Sequence, residues 1–110
     1  MRKQYDIVNG VPLHERLPIC WKAMEQAALE GHELPLRSRR RAFVLLRGMV
    51  FLRLRDEGYS GLGVAKALGI NHSTVYNARQ DAQFVVDHPT WFPDDADTWQ
   101  RFTKLLGDDV

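Results

Sequence analysis

Apolar and polar positions alternate with a helical period over most of the chain, most clearly in residues 61–80, GLGVAKALGINHSTVYNARQ. Val64 and Leu68 lie four apart and share one face of a short helix. Gly69 and Ile70 follow, and Asn71 is placed to cap a second helix in which Val75 and Ala78 again share a face. Ala65 has no bulk beyond a methyl group, so the second helix can cross close over the first. Two helices joined by a turn of about three or four residues containing glycine form a helix-turn-helix.

The same period extends to both sides. Residues 13–30 predict a helix with Trp21, Met24 and Ala28 on its apolar stripe, interrupted or restarted at Pro18 and ended at Gly31. Residues 32–36, with Pro35, read as a connector. From about Ser38 to Glu57 the pattern predicts one long helix, with Gly58 as its C-cap signal. Its middle, AFVLLRGMVFL, is apolar nearly all round, the mark of a buried central helix. Gly48 there either permits a close helix approach or is an ordinary tolerated glycine. Ser60 suits the N-cap of the first helix of the pair, and the second helix is expected to reach Asp87. The segment HPTWFP predicts a rigid aromatic turn. Residues 95–106 then predict a last helix with Trp99, Phe102 and Leu106 facing the core. The expected fold is all-α: one domain over residues 1–110, a small bundle of about five helices without repeats or a long linker.

Composition narrows the function classes. A chain of 110 residues with 45% hydrophobic content supports one modest core. The single Cys20 cannot form an internal disulfide, which fits a reducing compartment. No signal peptide and no membrane-spanning run are predicted, so a cytoplasmic, nucleoid-associated location is expected. The net charge of +1 hides a strong division: residues 1–36 carry −1, residues 37–79 carry +7 and residues 80–110 carry −5. The basic block coincides with the helix-turn-helix and the helix before it. That is the distribution a phosphate-binding face requires.

These features make double-stranded DNA the expected partner. The second helix of such a motif enters the major groove with its N-terminal residues near base edges. His72, Ser73, Tyr76, Asn77 and Gln80 lie away from the Val75/Ala78 face and are the candidate base contacts. Asn pairs bidentately with adenine, and Ser and His bond to exposed base edges. Thr74 and Asn71, near the helix N-terminus, suit a phosphate. Thr74 equally fits capping or packing, and Tyr76 partial burial. Arg37, Arg39, Arg40 and Arg41 form a second contact region, on phosphates or in the minor groove, with Lys66 and Arg79 as further phosphate contacts. Arg47, Arg53 and Arg55 instead have candidate carboxylate partners in Asp56, Glu57 and the C-terminal helix.

Residues 40–79 resemble the C-terminal DNA-binding domain of the bacterial replication initiator DnaA, of the Trp-repressor-like helix-turn-helix group. The family motif has the form IG-x-x-F-GG-R-D-H-T-T-V-x-x-A, and the corresponding stretch here is VAKALGINHSTVYNA, with His72, Ser73, Thr74, Val75 and Ala78 in the matching places. The resemblance implies base contacts for His72 and Ser73 and a minor-groove arginine within Arg37–Arg41. Asn71 stands where the family has aspartate, and the turn is one residue shorter. With that turn the segment equally resembles helix-turn-helix domains of repressors, resolvases and transposases. A domain of this kind looks like a small phage, plasmid or genomic-island protein.

Other classes find less support. His14, His32, His72 and His88 are scattered, Cys20 has no evident base partner, and no metal-ligand spacing occurs. Neither catalysis nor a cofactor or metal is therefore expected. Asp94, Asp95 and Asp97 are explained as a charged helix start. The rival reading is a protein-interaction module, with the Trp-containing terminal helices, residues 13–30 and 91–106, forming a dimer interface or partner site.

Overall fold

The computed structural model describes residues 7–107. Two short strands, β1 (Ile7–Val8) and β2 (Val11–Pro12), precede five helices: α1 (Leu13–Leu29), α2 (Arg41–Glu57), α3 (Gly61–Leu68), α4 (His72–Asp87) and α5 (Pro93–Leu105). The helical bundle is thus as expected, but the antiparallel hairpin is an addition. It pairs Ile7 with Pro12 and Val8 with Val11 around Asn9 and Gly10, both at positive φ. Its signal stood in the chain as Asn-Gly between apolar pairs, the two-residue hairpin turn. The Tyr59 hydroxyl donates to the Val11 carbonyl at 2.7 Å and fastens the hairpin to the α2–α3 junction.

α2 occupies the centre. Every residue from Leu45 to Leu54 is buried, against Cys20 and Met24 of α1, Val75, Ala78, Ala82 and Val85 of α4, and Phe102 of α5. Complete burial of a side chain such as Phe51 or Phe102 stabilises the fold by roughly 1.5–3 kcal/mol each. Gly48 is a close approach, not a tolerated accident. A Cβ there would stand 2.1 Å from the Ala78 carbonyl oxygen and 3.2 Å from the Ala82 methyl. The backbone of α4 therefore lies directly on α2.

α2 begins at Arg41, three residues later than the pattern predicted. The cause is Arg47. Its buried guanidinium donates to the carbonyls of Pro35 and Ser38, both at 2.8 Å. The Ser38 hydroxyl accepts from Arg40 N–H. These bonds hold the preceding segment outside the helix. α1 runs through Pro18 as one helix, without the expected restart. α5 begins at Pro93, two residues before the predicted start, with proline in the first turn where its missing N–H costs nothing.

A second polar cluster ties α1 to the end of α2. Arg16 grips Glu57 bidentately at 2.8 and 2.6 Å, and Arg53 adds a bond at 2.6 Å. Burial pushes the Glu57 pKa up, but the bonds from Arg16 and Arg53 outweigh it and hold the carboxyl below its usual range. Nearby, burial pushes the Cys20 thiol up to about 11, so it stays a packed, protonated group. At the far end, Arg101 of α5 donates to the Ala27 carbonyl of α1 at 3.0 Å and pairs with Asp97.

Candidate nucleic-acid interface

α3 and α4 are joined by three residues, Gly69, Ile70 and Asn71. Gly69 takes the left-handed conformation at φ 66, and the next N–H, of Ile70, closes onto the Ala65 carbonyl at 3.0 Å. Both helices start on side-chain caps. Ser60 accepts from Gly63 N–H, and Asn71 accepts from Ser73 N–H, each at 2.9 Å. Val64, Ala65, Val75 and Ala78 are buried between the two helices and α2. The packing positions read from the sequence are the packing positions of the fold.

The opposite face of α4 is open. His72, Ser73, Thr74, Tyr76, Asn77 and Gln80 are all exposed. Ser73, Asn77 and Gln80 recur at spacings of four and three, so they form one ridge along the helix. Thr74 is exposed, and Tyr76 is partly exposed and partly covered. Tyr76 is 45% exposed and accepts a hydrogen bond from Gln80 Nε2 at 2.7 Å. Thr74 neither caps nor packs, since Asn71 does the capping. Asn71 also accepts from the Ser73 hydroxyl at 2.8 Å, so these two side chains are engaged locally.

Basic groups border this ridge. The Arg79 guanidinium lies 5.8 Å from the Tyr76 ring centre. It and His72 converge on the start of α3, where a Cβ on Gly61 would meet Arg79 Nη1 at 3.2 Å and His72 Nε2 at 3.4 Å. Burial, and then the like charge of Arg55, lower the Arg79 pKa. Among the described residues no carboxylate lies within ion-pair distance of it. A half-buried cation in that state favours an arriving anion. Lys66 is exposed on α3.

Arg37, Arg39, Arg40 and Arg41 are exposed in the segment that Arg47 pins and at the first residue of α2. Arg41 reaches α4 itself, with Nη1 3.9 Å from Asp81. Both partners are largely exposed, and a pair of that kind contributes only about 0–1 kcal/mol. It leaves Arg41 available to a stronger anion. Arg47, Arg53 and Arg55 are structural or engaged. Arg47 holds carbonyls, Arg53 holds Glu57, and Arg55 bonds Asp56 at 3.0 Å and Gln83 at 2.8 Å. Arg47 is a structural support of the arginine segment that the sequence did not assign. Its only signal was a charge inside an otherwise apolar run, and the partners are backbone carbonyls that no spacing rule predicts.

Of the three tryptophans, Trp21 and Trp99 are half-buried against the core, and Trp91 is 64% exposed. Among the described residues no group of three or more His, Cys, Asp or Glu side chains is placed to hold a metal, and no helix is long and apolar enough to cross a membrane.

None of the curated proteins and none of the solved structures matches the chain. Residues 36–83 match the family model of the homeodomain-like domain. That span takes in the arginine segment, α2, α3 and most of α4. The match names a helix-turn-helix DNA-binding fold in general and leaves the likeness to DnaA a resemblance. Over residues 36–83 the chain is therefore similar to homeodomain-like helix-turn-helix domains.

Proposed function

We propose that the chain binds double-stranded DNA sequence-specifically, with α4 in the major groove, and acts as a small regulator or recruitment factor. The observation that carries this reading is the two-sided construction of α4. One side lies on α2 through Gly48, while the other presents His72, Ser73, Tyr76, Asn77 and Gln80 beside Arg79 and Arg41. In this reading His72 and Asn77 contact base edges, with Ser73, Tyr76 and Gln80 completing the readout. Arg79, Lys66, Thr74 and Asn71 meet phosphates around the start of the helix. Arg37, Arg39, Arg40 and Arg41 follow the backbone or enter the minor groove. The resemblance to DnaA supports base contacts for His72 and Ser73.

The test is selection of bound sequences from a random duplex pool, followed by binding of the selected duplex across a salt series. Enrichment of a defined site and a steep loss of affinity with salt are expected, because each phosphate contact releases counterions. Alanine at Arg39 should weaken binding to all sequences and reduce the salt slope by about one. No binding to any duplex at low salt overturns the proposal.

A further inference from the structure

Tyr76 and Gln80 lie one helical turn apart on the open face of α4. Gln80 Nε2 donates to the Tyr76 hydroxyl at 2.7 Å, and the Arg79 guanidinium stands 5.8 Å from the centre of the Tyr76 ring. A cation at that distance over a ring face is attracted to it, so Arg79 steadies the ring from one side. Arg79 is itself partly buried and reaches the start of α3 at Gly61. The tyrosine is therefore a post on which the glutamine leans. Asn77 is equally exposed, but its amide makes no hydrogen bond with other described side chains and can turn either way.

Holding one end of an amide decides what the rest of it offers. A primary amide has two N–H donors and an acceptor oxygen, and when it turns freely it can present either kind. Tyr76 takes one N–H of Gln80, which leaves one N–H beside Oε1, an oxygen that accepts from no described group. An acceptor beside a donor is the complement of adenine, which presents N6–H₂ beside N7 in the major groove. Guanine presents O6 and N7, both acceptors, and would set O6 against Oε1. We propose that Tyr76 is a positioning residue that fixes the Gln80 amide to read adenine, so that its part in the readout is exerted through Gln80. The inference rests on the DNA reading above and names the base that one residue of that site selects.

Each base pair of the duplex selected from the random pool is replaced in turn, and affinities are measured for the full chain, Gln80→Ala, Tyr76→Phe and the double variant. Gln80→Ala is expected to abolish the preference at one base pair, where the parent chain prefers adenine. Tyr76→Phe keeps the ring and removes only the hydroxyl. It should reduce the ratio of A·T to G·C affinity at that pair by about two- to tenfold, the scale of immobilising one flexible side chain. In the Gln80→Ala background it should change nothing further. Full discrimination in Tyr76→Phe overturns the proposal, as does a Gln80-dependent preference for another base or the absence of any such pair. A Tyr76→Phe loss of the same size with and without Gln80 also overturns it, because the hydroxyl then acts on DNA directly. A chain that selects no duplex removes the DNA reading and this inference together, whereas the other outcomes strike the inference alone.

Discussion

The inward side of α4 carries Val75, Ala78, Ala82 and Val85, every one buried, and lies on a glycine of α2. The outward side carries Ser73, Tyr76, Asn77 and Gln80, every one exposed, with Gln80 donating to the Tyr76 hydroxyl. Inward, small size matters more than chemistry, because methyls and a missing Cβ let two backbones meet. Outward, chemistry matters more than size, because nothing within the fold needs those groups. The two sides should therefore respond to substitution in different measurements, stability for one and DNA binding for the other.

The strongest way to break this contrast is Gly48→Ala. At an open helix position alanine stabilises by up to about 1 kcal/mol relative to glycine. Here its methyl would collide with the Ala78 carbonyl at 2.1 Å, a backbone atom that cannot move aside. A net loss of about 3 kcal/mol is expected, seen as a drop in Tm of roughly 10–20 °C. An unchanged or raised Tm would mean that α4 is not seated on α2 as described.

The next prediction extends the inward framework to the ion cluster at the end of α2. Glu57 has a lowered pKa in the folded state, so its contribution is complete above the ordinary carboxylate value of about 4.3. It is lost as pH falls through the lowered folded value. Glu57→Gln should cost about 2 kcal/mol at neutral pH, the scale of hydrogen bonds between charged groups. Thermal unfolding followed from pH 7 to pH 3 should show a flatter pH dependence in the variant. Equal slopes for the two proteins would remove Glu57 from the framework.

How much of this was legible follows the same division. The packing of Val64, Ala65, Val75 and Ala78 could be read because helical period and side-chain size are local properties of sequence. So could the caps at Ser60 and Asn71, where residue type and position suffice. The exposure of the outward residues followed from the same periodicity. Gly48 remained two-valued, since whether a glycine is needed depends on which helix crosses it. Arg47 was harder still. A buried guanidinium bonded to carbonyls 9 and 12 residues away depends on the path of an irregular segment, and its effect was to start α2 three residues late. The hairpin at Asn9–Gly10 carried a clear local signal in its turn, but its strands are only two residues long. No alternation is visible over so short a run.

The outward side is sharpened by Asn77→Ala. The residue is exposed and makes no hydrogen bond with other described side chains, so Tm should move by less than about 0.5 kcal/mol would produce. Affinity for the selected duplex should fall by roughly 1–3 kcal/mol, with discrimination relaxed at one base pair. Unaltered affinity and specificity would remove Asn77 from the readout.

Asn71 tests the boundary between the two sides, since it is the cap of α4 and also stands among the candidate phosphate contacts. Its Oδ1 accepts from both the N–H and the hydroxyl of Ser73, which leaves the amide N–H₂ for an outside acceptor. Asn71→Ala removes both functions and should cost about 1 kcal/mol of stability. Asn71→Asp separates them. Aspartate caps as well as asparagine and suits the positive end of the helix dipole, so Tm should match the parent. It also loses the two N–H donors and sets a negative charge where a phosphate would lie, so duplex affinity should fall with stability unchanged. If affinity and stability both hold in Asn71→Asp, the residue belongs to the inward side alone, as the cap that orients α4.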